Sequence, residues 1–267
     1  LGAPEWRLLA EKIRRLALPK GREALGSFSL EGYRSVERAL ANGAALEELL
    51  ISERLAHSER GRDLKLKRRA SEAAVPIRVA PDSILEALCD GRGLGETFAV
   101  CRIPERAPFE DLFRPHTLIL LGWNLADPGN TGALIRSALA SGASAFLAVG
   151  TTDPWHPKAV RTSMGSCFAL PIYRMSEEAF SPSSFQEAGW QLAASVCREG
   201  IELPVFKRST APLILLMGSE AFGLPEELAR QCDHQLRIPM PEGVDSFSVN
   251  AAAAVFCYAL LHGNGRA

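Results

Sequence analysis

Apolar residues recur along this chain in two textures. In roughly the first hundred residues helical spacing dominates: WRLLAEKIRRLAL and YRSVERALANG place apolar side chains three and four apart, which predicts helices. LEELLIS, VPIRVA and TFAVCRI interrupt them as short runs that read as strands. From residue 117 the pattern becomes regular. TLILLGW, SAFLAVG, FALPIYR, WQLAASV, PLILLMG and HQLRIPM are short apolar runs spaced by helical or loop segments, an alternation that predicts an α/β fold with a mainly parallel sheet covered on both faces. DSFSVNAAAAVFCYALLHG then starts polar and runs on as an almost wholly apolar helix ended by Gly263. Such a helix is expected to be buried on more than one side and suggests a subunit interface.

Between the two textures lies IPERAPFEDLFRPH, residues 103–116, with three prolines and no sustained periodicity. The expected organisation is a small α/β domain over 1–105, a linker over 106–116 and a second domain over 117–267. A chain of 267 residues with 47% hydrophobic and 23% charged residues has the balance of a soluble globular protein with a real core. Its net charge of -1 conceals a gradient, because residues 1–116 hold 20 of the 30 Lys and Arg but 18 of the 31 acids.

No apolar stretch approaches the ~18 residues of a membrane span, and charged residues from Glu5 onward do not resemble a signal peptide's apolar core. A cytoplasmic location is therefore expected. Six cysteines (Cys89, Cys101, Cys167, Cys197, Cys232 and Cys257) show neither Cys-x-x-Cys pairs nor His at metal-ligand spacing, so buried free thiols are expected and no metal site. GRGLG at 91–95 is not a Gly-x-Gly-x-x-Gly following a strand, which argues against a dinucleotide-dependent oxidoreductase. GRDLKLKRR at 61–69 puts Arg62, Lys65 and Arg69 on one helical face, either a solvated face or a patch that tracks phosphates.

Chemistry concentrates in three motifs, NLADPGNTGALIR (124–136), LLMGSEAFGLPEEL (215–228) and RIPMPEGVDSFSVNAAAAVFCYALL (237–261). Each joins the carboxyl end of a strand to a helix, the usual position of ligands in α/β sheets. In the first, Asp127, Pro128 and Gly129 make a tight turn, Asn130 can cap the helix and Arg136 follows in its second turn. In the second, Gly218 and Gly223 bracket Glu220, a carboxylate able to serve as acceptor or as cap. In the third, Ser246, Ser248 and Asn250 stand around the first turn of the apolar helix, more small polar residues than one cap needs.

These motifs, in this order over residues 117–261, resemble those of the SpoU/TrmH family of RNA ribose 2'-O-methyltransferases, within the SPOUT superfamily. KGREALGSFSLEGYRSVERAL at 20–40 is similar to the opening of the RNA-binding domain that many members carry, a ribosomal-protein-like α/β fold. The resemblance implies a trefoil-knotted, mainly parallel sheet of SPOUT type, S-adenosyl-L-methionine as methyl donor, a homodimer, and RNA as partner, ribosomal rather than transfer RNA by analogy of the first domain. The implied catalytic residues are Asn130, Arg136, Glu220 and Ser248, and the implied cofactor contacts are Gly218, Ile238, Met240, Ser246 and Phe247. Lys20, Arg22, Arg62, Lys65 and Arg69 are the candidate RNA contacts. Where the family reads Ser-Leu-Asn this chain has Ser246, Phe247 and Ser248, with Asn250 two residues later. Two helical positions rotate a side chain by about 200°, so Asn250 replaces the family Asn only if the helix begins later or shifts. Loss of that Asn is also what a non-catalytic RNA-binding relative, acting in ribosome assembly, would display.

Overall fold

The computed structural model describes residues 4–89 and 96–263; GRGLG at 91–95 lies outside the described residues. In chain order the first elements are α1 (Glu5–Leu16), α2 (Pro19–Leu25), β1 (Ser27–Glu31), α3 (Tyr33–Ala41), β2 (Leu46–Ser52), α4 (Glu53–Ala56), α5 (Gly61–Glu72), β3 (Ile77–Ala80), α6 (Asp82–Leu88) and β4 (Thr97–Arg102). Then come β5 (Leu118–Trp123), α7 (Pro128–Ser141), β6 (Ala145–Val149), α8 (Pro157–Thr162), α9 (Ser166–Ala169), β7 (Ile172–Met175), α10 (Pro182–Glu187) and β8 (Gln191–Ser195). The last are β9 (Ile201–Glu202), β10 (Leu213–Met217), α11 (Glu226–Gln231), β11 (His234–Arg237) and α12 (Val249–His262).

Two compact units result. One comprises Leu1–Glu105 together with Trp155–Phe168, the other Arg106–Pro154 together with Ala169–Ala267. The first unit therefore takes in a segment from the middle of the region expected to form the second domain.

The first unit is built on a four-stranded sheet of order β1-β4-β2-β3, in which only β2 and β3 are parallel. The apolar stripe of α1, Leu9, Ala10, Ile13 and Leu16, packs into a core with Leu50, Leu85, Phe98 and Val100. Strand β1 has no counterpart among the runs expected from periodicity. Its alternation is masked because Ser27 and Ser29 are buried beside Phe28 and Leu30. The Ser27 hydroxyl is satisfied by donating to Glu47 Oε1 at 3.0 Å, which removes the cost of burying it. Trp155 and Phe168 cover Phe28, with ring centroids 4.9 and 6.3 Å away, and Arg161 pairs with Glu31 at 3.0 Å. These contacts are why residues 155–168 belong with this unit.

The second unit is a wholly parallel seven-stranded sheet of order β7-β6-β5-β10-β8-β11-β9. All six apolar runs form strands, although FALPIYR does so only from Ile172, since Phe168 and Ala169 end α9. The seventh strand, β9, has two residues, too few to show a period. Every residue of β5, β6 and β10 is buried, as expected of strands covered on both faces. Residues 106–116 are not a loose tether. Phe109 meets Tyr173, Phe185 and Trp190 with ring centroids 5.1 to 5.7 Å away, and the Tyr173 hydroxyl donates to the Ala107 carbonyl at 3.0 Å. An aromatic cluster outweighs the proline content that marked the stretch as a linker.

From β5 the sheet extends through β6 and β7 on one side and through β10, β8, β11 and β9 on the other. The carboxyl ends of β5 and β10 thus lie side by side where the direction of winding reverses, the place where such sheets bind ligands. No described helix is long and apolar enough to cross a membrane. All six cysteines are free, and burial pushes the thiols of Cys101, Cys232 and Cys257 up to about 12. Cys197 differs from the sequence expectation in being exposed.

Candidate active site

At the end of β5 the chain turns through Asn124, held at φ 49, into the N-terminus of α7. Asp127, not Asn130, caps that helix: its carboxylate accepts from the Gly129 amide at 2.9 Å, and Pro128 occupies the first turn, where no amide is needed. The cap being taken, the Asn130 side chain is free to look across to the neighbouring strand end.

There it meets Glu220. Asn130 Nδ2 donates to Glu220 Oε1 at 2.6 Å, and the Ala126 amide donates to Glu220 Oε2 at 3.2 Å. Partial burial pushes the Glu220 carboxyl up, but the bonds from Asn130 and from backbone amides, those of Ala126 and Asp127 included, outweigh it and hold Glu220 below the ordinary carboxylate range. Of the two roles open to this residue, the structure selects acceptor over helix cap. An ionised carboxylate only accepts, so it dictates which end of the Asn130 amide faces it. Asn130 Oδ1 is thereby presented to a third residue, and Asn250 Nδ2 donates to it at 2.7 Å. The result is a directed relay, Asn250 to Asn130 to Glu220, joining all three motifs.

The third motif achieves this by a late helix start. Ser248 is the N-cap of α12, accepting from the Ala251 amide at 3.4 Å, and the helix begins at Val249. Ser248 was expected among the catalytic residues, but its hydroxyl is engaged in capping and the amide that reaches Asn130 belongs to Asn250. At the far end of the relay Asn250 Oδ1 is buried and has no hydrogen-bond partner among the described residues.

Beside the relay, between the ends of β8, β10 and β11, is a cavity of about 380 Å³. Its walls include Gly218, Ile238, Met240, Ser246 and Phe247, the full set expected to contact a cofactor, together with Cys197, Glu220 and Phe256. That size suits a nucleoside-sized ligand. Gly218 is dictated by close approach: a Cβ there would lie 2.1 Å from the Gly223 carbonyl carbon and 2.2 Å from the Leu224 amide nitrogen. Gly223 itself adopts φ 67, the left-handed region. The loop from 218 to 223 therefore folds back on itself and offers main chain to the cavity. Walls of this kind, apolar side chains interspersed with backbone groups, fit an adenosine with a short polar tail.

Arg136 is not brought to this site within the chain. Six residues beyond Asn130 it points about 240° around α7; it is exposed, has no partner among the described residues and does not line the cavity. Its neighbour Ser137 begins a shallow, largely apolar patch formed with Ala140, Ala254, Val255 and Tyr258, where α7 packs along α12. Tyr258 is 65% exposed, so the final helix keeps an open face that the sequence expected to be covered.

In the first unit Lys20 is exposed, whereas Arg22 is 3% exposed and donates to the Leu16 carbonyl at 2.7 Å. Arg22 is therefore corrected from an RNA contact to a buried structural arginine that reaches back to the carbonyl at the C-terminus of α1. Arg62, Lys65 and Arg69 do line one side of α5, and acids compensate them: Glu37 pairs with Lys65 at 3.0 Å and Arg69 at 3.6 Å, and Asp63 with Arg62 at 3.2 Å.

Comparison with known proteins fits this geometry. Residues 117–258 match the SpoU rRNA methylase family, and residues 11–91 match the MRM3-like substrate binding domain. The chain is 30% identical over 250 residues to the 23S rRNA (uridine(2479)-2'-O)-methyltransferase of Streptomyces viridochromogenes, covering 89% of this chain and 83% of that protein. It is 26% identical over 248 residues to a 23S rRNA (guanosine(2553)-2'-O)-methyltransferase of Bacillus subtilis, covering 92% and 93%. The crystal structure of an rRNA methyltransferase from Sinorhizobium meliloti with S-adenosylmethionine bound superimposes with a TM-score of 0.80 at 26% identity, over 97% of this chain and 96% of that one. With the family's domain matched across more than half its length and its three motifs meeting at one strand-end cluster, the chain belongs to the SpoU rRNA methylase family.

Proposed function

We propose that this protein transfers a methyl group from S-adenosyl-L-methionine to a ribose 2'-hydroxyl of ribosomal RNA. The observation that carries the reading is the Asn250–Asn130–Glu220 relay standing against a cavity whose walls hold all five expected cofactor residues. Ribosomal RNA is favoured over transfer RNA by the 23S relatives named above. The non-catalytic alternative drew its support from Ser248, and Asn250 now supplies the missing amide.

When bound, S-adenosylmethionine supplies an electrophilic methyl group on a sulfonium. The chain's own contribution is position and charge. Gly218, Ile238, Met240, Ser246 and Phe247 hold the adenosine through backbone and apolar contact. Glu220, ionised, orients Asn130, and Asn130 in turn fixes the Asn250 side chain.

Arg136 is always protonated and so is no ordinary general base. It holds an RNA phosphate and stabilises the negative charge developing on the 2'-oxygen, whose proton leaves to phosphate or water as the oxygen takes the methyl group and the sulfonium becomes a neutral thioether. Two copies of the chain pair through the α7–α12 patch, and Arg136, at its border, serves the site of the partner subunit. Lys20, Arg62, Lys65 and Arg69 contribute to gripping RNA in the first unit, and the enzyme works in the cytoplasm, where that RNA is found.

The test is methyl transfer from tritiated S-adenosylmethionine to transcribed, unmodified 23S rRNA, followed by alkaline hydrolysis. A 2'-O-methylated ribose cannot be cleaved on its 3' side by alkali, so label must appear in an alkali-resistant dinucleotide. Label in mononucleotides would indicate base methylation and overturn the reading.

A further inference from the structure

One conspicuous group on the wall of the cofactor cavity takes no part in the relay. Phe222 is 91% exposed, the most exposed large hydrophobic side chain among the described residues. It is not on a loose loop. The turn that carries it is closed by reciprocal bonds, Ser219 amide to Gly223 carbonyl at 3.1 Å and Gly223 amide to Ser219 carbonyl at 2.9 Å, and the Phe222 amide donates to Ser219 Oγ at 3.3 Å. A ring held out in water on a fixed turn gains nothing from folding.

Behind the turn lies a second cavity of about 610 Å³, lined by Trp123, Asn124, Asp127, Asn130 and Pro225. Residues 219 to 223 line both cavities and so form a common wall between them. Trp123 is nearly buried, fixed edge-on to Phe180 at 5.5 Å. Asn124 Oδ1 accepts from the Thr151 amide at 2.9 Å, and its Nδ2 has no partner among the described residues. The cavity thus combines flat apolar surface, a free donor, and access to the polar pair Asn130 and Glu220.

In-line transfer places the acceptor oxygen opposite the sulfur, across the methyl group, so the acceptor must sit next to the cofactor and outside its cavity. The second cavity meets that condition. We propose that it is the subsite for the acceptor nucleoside, and that Phe222 stacks on the base of the target nucleotide once that base has left its neighbours in the RNA. Bases in single-stranded RNA are held in this way on aromatic side chains. The proposal rests on the methyltransferase reading above.

The test compares full-length wild type with Phe222→Ala and Phe222→Trp, using transcribed 23S rRNA as substrate and calorimetry for S-adenosylmethionine. Phe222→Ala is expected to raise KM for RNA by about tenfold to a hundredfold, the range of one lost stacking contact, with cofactor Kd within about twofold. Phe222→Trp is expected to restore KM, and its added fluorescence, relative to wild type, to be quenched as RNA is titrated into protein saturated with S-adenosylhomocysteine. If Phe222→Ala weakens cofactor binding and leaves KM for RNA unchanged, the ring belongs to the cofactor wall and the proposal fails. It fails equally if the variant changes only the oligomeric state, or if RNA kinetics are indifferent to it while the wild type is active. A wild type that methylates no RNA overturns the underlying activity as well.

Discussion

Asn250 donates to Asn130 Oδ1 at 2.7 Å from a position two residues beyond the one where the family motif carries its own Asn. Ser248 occupies that earlier position and caps α12. The two residues have divided cap and amide between them, and substitution separates the two duties. Asn250→Ala should lower kcat by about a hundredfold, as expected when a positioned group is lost, with cofactor Kd preserved. Ser248→Ala should cost about 1 kcal/mol of stability in chemical denaturation while single-turnover methylation at low temperature stays near wild type.

Glu220→Gln tests the direction of the relay. A glutamine presents both donor and acceptor, so the Asn130 amide is no longer obliged to face one way, and kcat should fall while the fold persists. The pH dependence has a definite sign. Because the folded-state pKa of Glu220 is depressed, its stabilising contribution is complete above the ordinary carboxylate value and disappears as pH falls through the lower, folded-state value. The stability difference between wild type and Glu220→Gln should be flat through neutral pH and shrink only in the acid range. A difference that varies between pH 6 and 8 would contradict the assignment.

Arg136 calls for mixed dimers. When Arg136→Ala and Asn130→Ala chains are co-expressed under separate tags and the heterodimer purified, action across subunits leaves one complete site of the two, so about half the wild-type activity should return. Action within one chain leaves none.

Gly218→Ala forces a methyl group against main-chain atoms 2.1 to 2.4 Å away. The 218–223 loop must open, and calorimetry should show weaker cofactor binding together with a stability loss of about 1–3 kcal/mol, typical of overpacking.

Arg22 and Lys20, two residues apart, should behave oppositely. Arg22→Ala removes the donor to the Leu16 carbonyl and should destabilise by about 1–3 kcal/mol with the salt dependence of RNA binding unchanged. Lys20→Ala should leave stability alone and flatten that salt dependence, by about one unit of slope if it meets one phosphate.

Much of this architecture was legible because buried parallel strands are uninterrupted apolar runs, and TLILLGW or PLILLMG admit few other readings. Strand β1 was not legible, because two buried serines break its apolar pattern and one of them, Ser27, is satisfied by a distant Glu47 that no local window contains. The three motifs meet at one cluster of strand ends, and the five residues that the family resemblance implied as cofactor contacts all line the cavity there. Roles that depend on one hydrogen bond were harder. Whether Asn130 or Asp127 caps α7, and whether Ser248 or Asn250 reaches the relay, turns on a shift of one or two residues in a helix start. Arg22 looked like Lys20 because burial is a property of the folded chain and not of a basic tripeptide.

The segment Trp155–Phe168 bears on how the protein is made. Phe28 emerges from the ribosome well over a hundred residues before the aromatic rings that cover it. Until then β1 carries a bare apolar surface, and a nascent chain halted at residue 105 would present a sticky, unfinished sheet. The chain's first unit matures only after its second has begun, which makes translation past residue 168 the point at which both are committed together.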